Sequence, residues 1–159
     1  MKKLFTFFLS ALTAGVCFGQ PKIQAAIASD SGMISLMNKA KKLMKYREDI
    51  ALPKILPATE QYLKSLVCNG AKHCPVAAVY VNNTVYYRQD LNLNDPITKS
   101  YFVHEFIHHI QANSGFVATD CNVWYSNEKQ AYRLQAKYLR NNDQDEGFVY
   151  ESLRIIKCK

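Results

Sequence analysis

The pattern HExxH, formed by His104, Glu105 and His108, constrains the fold of this chain more than any other feature. Two histidines four residues apart point to the same side of an α-helix, so their imidazole rings can bind one Zn²⁺. The glutamate beside the first histidine then lies next to the metal, where it can accept a proton from a bound water. The chain must therefore fold so that this helix presents one side to a cleft.

The helix that carries this pattern has clear signals at both ends. Asp95 is suited to the N-cap, and Pro96 is suited to the first helical position. We expect the helix to end near Asn113, with Gly115 in a left-handed conformation after it. The apolar residues that we expect to be buried are Val103, Phe106, Ile107 and Ile110. The two histidines lie on a different side of the helix, which fits a metal site that faces a cleft.

A third metal ligand is expected in the next helix. A catalytic zinc ion usually has three protein ligands and an open position for water, and HExxH supplies two of them. The candidate is Glu128, 20 residues after His108, in the first turn of a helix whose predicted N-cap is Ser126. Two helices joined by a loop of this length can lie antiparallel with their facing sides together. Asp120 is an alternative third ligand.

The pair Asn127-Glu128 after HExxH resembles the pattern of the small gluzincin zinc metallopeptidases, the class that contains the thermolysin-like enzymes. The resemblance covers roughly residues 76–139. It implies an α+β fold in a single small zincin-like domain, with a short β-hairpin, the HExxH helix and a following glutamate helix. It also implies that Zn²⁺ is held by three residues: His104, His108 and Glu128.

The activity that this resemblance implies is hydrolysis of a peptide or protein substrate, with Glu105 as the base that activates water. The chain departs from the thermolysin-like enzymes at Tyr132, where they carry an aspartate that orients one ligand histidine. The metzincin pattern is excluded, because it requires glycine and histidine where this chain has Gln111 and Ser114. A second interpretation is a disulfide-stapled exported binding or inhibitor protein whose zincin-like fold is not catalytic.

Residues 1–19 have the features of a secretory signal peptide. A basic start is followed by a short apolar run and then by small residues. We predict cleavage after Gly19, which leaves residues 20–159 as the metallopeptidase-like domain; cleavage at Ala25 or Ala28 is the alternative. The protein is expected to be secreted or periplasmic. No later segment has the length of a membrane helix, so no integral membrane segment is expected.

The predicted mature chain contains four cysteines, and an even number in an exported domain suggests two disulfides. Three connectivities are open. We favour Cys68–Cys74, which closes a short loop, and Cys121–Cys158, which ties the tail to the domain. None of these cysteines forms a CxxC pair, so a metal site built from them is not expected.

The basic charge of the chain bears on its partners. The formal net charge is +7 at pH 7, but the lysines are scattered and form no nucleic-acid-binding motif. We therefore expect no nucleic acid among the partners. A basic surface would favour contact with an anionic envelope or an acidic substrate, but a solvated basic face is the commoner explanation. A monomer is expected. The strand near residues 76–81, or its hairpin partner, is expected to hold an extended peptide substrate by edge pairing.

The remaining elements follow from local patterns. Helices are predicted over residues 33–47 and 58–67, with an extended segment over residues 50–56 between them. A hairpin is predicted from residues 75–81 and 84–87, with a turn at the two asparagines between these strands.

Several further polar residues are candidates for supporting roles at the predicted metal site. The tyrosines considered as hydrogen-bond donors to an oxyanion are Tyr132, Tyr138 and Tyr150. His109 points about a right angle away from His108 on a helix of 3.6 residues per turn. We therefore expect His109 to lie beside the ligands or to be exposed, and not to bind the metal.

Overall fold

A computed structural model describes residues 30–68 and 74–156 of the chain. The predicted signal segment, its cleavage sites and Cys158 lie outside the described residues. Over the described ranges the chain forms an α+β domain with five helices and a three-stranded mixed sheet, which confirms the predicted class at this level. Within the same ranges, the structure contains no helix with both the length and the apolar character needed to cross a membrane.

Helices and strands are mixed along the chain, and three consecutive helices follow the last strand. The helices are α1 (Asp30–Met44), α2 (Glu60–Val67), α3 (Pro96–Asn113), α4 (Cys121–Arg140) and α5 (Gly147–Ile155). The strands are β1 (Lys54–Ala58), β2 (Ala78–Val81) and β3 (Thr84–Arg88). The elements predicted before α3 are present, although their ends differ from the predicted ends by a few residues.

The sheet has the strand order β1-β3-β2, so β3 is central and β2 lies at an edge. β2 and β3 form the predicted antiparallel hairpin, and β1 pairs with β3 in parallel. The turn residues Asn82 and Asn83 have φ angles of 48° and 58°. Two successive left-handed residues are what a two-residue turn of type I′ requires, and asparagine tolerates this conformation well. The hairpin is therefore encoded locally.

Helix α3 lies at the centre of the hydrophobic core. Its fully buried apolar residues are Phe102, Val103, Phe106, Ile107 and Ile110, which include all four predicted ones. The helix starts as predicted, because the carboxylate of Asp95 accepts a hydrogen bond from the N–H of Thr98 at 2.8 Å. It ends at Asn113, and Gly115 has a φ of 80°. Burial of large apolar side chains, at roughly 1.5–3 kcal/mol each, fixes this helix in place.

The start of α4 differs from the prediction. Ser126 lies inside the helix, and the N-cap is Asp120. One carboxylate oxygen of Asp120 accepts hydrogen bonds from the N–H groups of Asn122 (2.8 Å) and Val123 (3.0 Å). A charged acceptor at the positive end of the helix dipole binds these donors more strongly than a serine hydroxyl would. The prediction of Ser126 as the N-cap is therefore wrong.

Cys68 and Cys74 form a disulfide, as predicted, with 5.9 Å between their Cα atoms. The bond joins the residue after α2 to the segment that leads into β2. Cys121 is also disulfide-bonded. Its predicted partner Cys158 lies outside the described residues, so that pairing stays a prediction.

Removing the Cys68–Cys74 disulfide by substituting both residues with alanine is expected to lower the free energy of unfolding by about 2 kcal/mol. The reason is that the bond restricts the unfolded chain over a short loop. Urea denaturation of the mature protein, followed by circular dichroism, measures the change. Ser65→Ala, on the exposed side of α2, is the control and should leave the midpoint unchanged. A double variant as stable as the wild type would contradict this expectation.

Candidate metal centre

Three side chains that can bind a metal meet between α3 and α4. The Nε2 atoms of His104 and His108 lie 3.1 Å apart. The carboxylate of Glu128 lies 3.5 Å from the first of these nitrogens and 3.3 Å from the second. The ligand atoms of the three residues all lie within 4.8 Å of one another. The structure thus brings the three predicted ligands together in a group that could hold a metal ion.

The antiparallel packing of α3 and α4 creates this group. Ser100, early in α3, is hydrogen-bonded to Gln135, late in α4. Gln111, late in α3, is hydrogen-bonded to the backbone of Asn127, early in α4. The alternative ligand Asp120 does not belong to the metal-binding group formed by the described residues, because it caps α4 instead.

Gln135 fixes the orientation and tautomer of His104. The hydroxyl of Ser100 donates to the carbonyl of Ile97 at 2.6 Å, so its oxygen accepts from the amide Nε2 of Gln135 at 3.0 Å. The amide Oε1 of Gln135 consequently faces His104 and accepts from its Nδ1 at 3.0 Å. Because Nδ1 carries the proton, Nε2 of His104 presents a lone pair to the metal position.

Gln111 fixes the orientation and tautomer of His108. Its amide Nε2 donates to the carbonyl of Asn127 at 3.1 Å and to Oε1 of Gln130 at 2.8 Å. A backbone carbonyl can only accept, so the Oε1 of Gln111 is directed at His108 and accepts from its Nδ1 at 2.8 Å. Both histidines are therefore held with Nε2, and not Nδ1, directed toward the possible metal position.

The closeness of His104, His108 and Glu128 to one another controls the protonation of the metal-binding group. Burial disfavours a charge on His108, but the hydrogen bond to Glu128 and the nearby negative charges outweigh burial and raise the pKa of His108 to about 9. Burial raises the pKa of Glu128, yet hydrogen bonds from the two histidines hold that pKa well below its usual range. Without a metal, a proton consequently occupies the group near neutral pH.

Metal affinity should therefore depend on pH. We expect the affinity for a divalent metal to increase about tenfold per pH unit from neutral pH toward the His108 pKa of about 9, because binding displaces the proton. The sign follows from the raised pKa, since protons compete with the metal at every pH below it. Competition with a chromophoric chelator, corrected for the protonation of the chelator, measures the slope. An affinity that is constant over this interval would contradict the argument.

The hydrogen bond between Gln135 and His104 is expected to support metal affinity. Gln135→Leu retains most of the side-chain volume but removes the acceptor of the His104 proton, so we expect metal affinity to fall about 10- to 100-fold. The matched control is Gln61→Leu on the exposed side of α2, which should not change the affinity. The same chelator competition measures both variants, and circular dichroism shows whether each one is folded. An unchanged affinity for Gln135→Leu would show that the hydrogen bond does not support the site.

Glu105 lies beside the metal-binding group without belonging to it. Its side chain is buried, and burial raises the pKa of the carboxyl group, although the charges of His104 and His108 oppose the rise. A backbone hydrogen bond with Tyr80 of β2 also lowers this pKa. A carboxyl group with a raised pKa next to a metal site is suited to accept a proton and later to release it.

Of the three tyrosines weighed as oxyanion donors, only Tyr132 lies at this site. Its ring centroid is 4.4 Å from that of His104. Burial, with help from the two neighbouring carboxylates, raises the pKa of its hydroxyl to about 12, so the hydroxyl keeps its proton. Tyr138 is buried in the core, and Tyr150 is exposed on α5. Neither of these two lines the cleft described below.

His109 lies outside the metal-binding group, and it is buried and not exposed. Its Nε2 donates to the carbonyl of Ala51 at 2.9 Å, and its Nδ1 accepts from the hydroxyl of Tyr80 at 3.2 Å. These bonds tie α3 to β2 and to the segment before β1. His109 therefore helps to hold the edge strand beside the helix that carries the metal-binding histidines.

The metal-binding group opens into a cleft of about 740 Å³. The cleft lies between the edge strand β2 and the helices α3 and α4, and residues from α5 and from the α3–α4 loop complete its walls. Ligand-binding pockets commonly have volumes of roughly 300–1,000 Å³. The cleft is therefore large enough for a segment of an extended chain.

Comparisons with protein-family models, with curated proteins and with solved structures found no match for this chain.

Sequence reasoning did not identify Gln111 and Gln135 as hydrogen-bond partners of the two histidines. The spacing contains a weak signal, because Gln111 is three residues after His108 and Gln135 is seven residues after Glu128. At these spacings each glutamine shares a helix side with a ligand. Glutamine is common on exposed helix surfaces, so this signal becomes informative only once the packing of α3 against α4 is known.

Proposed function

We propose that this protein is an exported zinc-dependent metallopeptidase of the gluzincin type with a zincin-like fold. The observation that carries the proposal is the convergence of His104, His108 and Glu128, with both imidazoles oriented by glutamines and Glu105 beside them. Two neutral imidazole nitrogens and one carboxylate are a common ligand set of catalytic zinc, which leaves a fourth position open. The donor set therefore fits zinc.

The residues of the cleft would divide the hydrolysis between them. Zinc, when bound, supplies a Lewis acid that polarises water and the peptide carbonyl. Glu105 accepts one proton from the water as the water oxygen bonds to the carbonyl carbon. The same carboxyl group returns that proton to the peptide nitrogen as the C–N bond breaks, which yields one carboxylic acid and one amine. The protonated hydroxyl of Tyr132 donates a hydrogen bond to the carbonyl oxygen as that oxygen gains negative charge.

The edge strand supports a peptide as the substrate. Residues Ala78, Val79 and Tyr80 of β2 line the cleft, whereas β3 is paired with β1 on one side and β2 on the other. Of the two hairpin strands, β2 is therefore the one on which an extended peptide can add through backbone hydrogen bonds.

An exported location fits the cysteine chemistry. Disulfides persist in oxidising compartments, and the Cys68–Cys74 bond is compatible with a secreted or periplasmic protein. Proteolysis outside the cytosol would also keep the active enzyme away from the proteins of the cell interior.

The test of the proposed function is cleavage of a broad peptide library by the zinc-loaded mature protein, read by mass spectrometry. We expect cleavage that stops when a chelator removes the metal and that returns when zinc is restored. If the library is not cleaved in a zinc-dependent manner, the proposal gives way to the second interpretation. That interpretation is an exported binding or inhibitor protein with a non-catalytic zincin-like fold.

A further inference from the structure

The cleft extends along α3 on both sides of the metal-binding group. Tyr101 and Ala112 of this helix both line the cleft. The stretch of helix between them is about 16 Å long, which an extended chain covers with about five residues. His104 and His108 lie between these two positions. A bound chain would therefore have residues on both sides of the metal-binding group, and its two ends would contact different side chains.

One end of the cleft contains an arginine. Arg88, the last residue of β3, is the one lysine or arginine among the described residues that line the cleft. Its Nε donates to a carboxylate oxygen of Asp90 at 2.7 Å, and its two terminal nitrogens are hydrogen-bonded to none of the described residues. Burial and the negative charge of Asp95 raise the pKa of the Tyr101 hydroxyl, and the positive charge of Arg88 partly opposes the rise; Arg88 and Tyr101 both line the cleft. The guanidinium group is thus available to a carboxylate.

The opposite end of the cleft is apolar and exposed. Phe116 and Val117 in the α3–α4 loop are each 61% exposed, and Trp124 of α4 is 37% exposed. All three line the cleft. The loop is anchored beside the metal-binding group, because the Phe116 carbonyl accepts from the Asn127 side chain at 2.8 Å and the Phe116 N–H donates to the Gln111 carbonyl at 3.0 Å. The backbone of Phe116 is therefore fixed beside the metal-binding group, and the three exposed apolar side chains offer a surface that a ligand can cover.

We infer that the cleft selects a peptide chain with a large apolar side chain at one end and a carboxylate at the other, about four residues apart. The carboxylate binds the terminal nitrogens of Arg88, and the apolar side chain packs against Phe116, Val117 and Trp124. The bond to be cleaved lies between the two anchors, and this last point rests on the proposed function. The carboxylate belongs either to an acidic side chain or to the C-terminus of the peptide.

Binding can be measured separately from cleavage. Trp124 is the only tryptophan of the sequence and it lines the cleft, so its fluorescence reports occupancy. The titrations use the zinc-loaded Glu105→Gln variant, which should not consume the peptide. The probes are blocked six-residue peptides with phenylalanine and glutamate four residues apart, in both orders. Matched peptides carry glutamine in place of glutamate, with either an amidated or a free C-terminus.

The expected result is about tenfold tighter binding of one glutamate peptide, or of the free-carboxylate peptide, than of the neutral amidated peptide. The comparison of free and amidated termini identifies the source of the carboxylate. Arg88→Gln in the same background should remove the preference. Arg154→Gln is the matched control, because Arg154 is an exposed arginine that also pairs with a carboxylate, that of Glu151. This control should retain the preference.

Two outcomes separate this inference from the proposed function. Equal affinity for the charged and neutral peptides with Arg88 intact would overturn the inference, even if the wild type cleaves both peptides. This comparison needs no substitution of Arg88, so it holds even if Arg88→Gln does not fold. A clear preference without cleavage by the wild type would instead overturn the peptidase proposal and leave the assignment of the two ends of the cleft intact.

Discussion

Replacing Glu105 with glutamine is expected to reduce zinc-dependent peptide hydrolysis by about 10²- to 10⁴-fold, while the protein folds and retains its zinc. Glutamine keeps the shape of the side chain and a hydrogen-bonding group, but it cannot accept a proton from water. Zinc should be retained because Glu105 is not one of the three residues that form the metal-binding group. The measurements are kcat/KM for a library peptide that the wild type cleaves, and the zinc content of both proteins.

Glu151→Gln is the matched control for this experiment, because Glu151 is an exposed glutamate of α5 and does not line the cleft. It should retain full activity. The pH profile gives a second readout. Burial raises the pKa of Glu105, so wild-type activity should begin to fall, as the pH is lowered, above the usual range for a carboxyl group. A glutamine variant that cleaves as fast as the wild type would exclude Glu105 as the base.

The second large effect is expected from substitution of the predicted metal ligands. His108→Ala should abolish stoichiometric zinc binding, and Glu128→Ala should weaken it by more than the 10- to 100-fold that is typical of losing an outer hydrogen-bond partner. Each substitution removes one of the three donors in the metal-binding group. Metal analysis after gel filtration and chelator competition measure the loss, and hydrolysis should disappear together with the zinc.

Asp120→Ala distinguishes Glu128 from the alternative third ligand. Asp120 is the N-cap of α4, so its loss should cost roughly 1 kcal/mol of stability without changing zinc affinity. The opposite pattern, with zinc lost in Asp120→Ala and retained in Glu128→Ala, would show that the third ligand is assigned to the wrong residue.

The parts of the fold that could be predicted are those determined by residues close together in the sequence. The start of α3 depends on Asp95 and Pro96, which are adjacent to the helix they begin. The hairpin turn depends on Asn82 and Asn83 alone. The closeness of His104 and His108 follows from their spacing on one helix. In each case the residues that decide the structure are within a few positions of one another, so a pattern in the sequence can reveal them.

The parts that could not be predicted depend on contacts between distant residues. The parallel pairing of β1 with β3 joins strands that are separated by α2 and β2. The partner of His104 is Gln135, 31 residues away, and the partners of His109 are 29 and 58 residues away. Arg88 is an ordinary strand-end residue until the packing of α3 beside the sheet places it in the cleft. Such contacts are set by the burial of apolar surface, which has no fixed sequence spacing.

The metal-binding group is divided between two helices, with His104 and His108 on α3 and Glu128 on α4. An ion held there would be a reversible cross-link between these helices, so stability would be linked to the free metal concentration. At a concentration 100 times the Kd, a ligand that binds only the folded state adds about 2.7 kcal/mol, somewhat more than we expect from the Cys68–Cys74 bond. The supply of that metal would then set how long each molecule survives attack by proteases, because such attack proceeds through unfolded states.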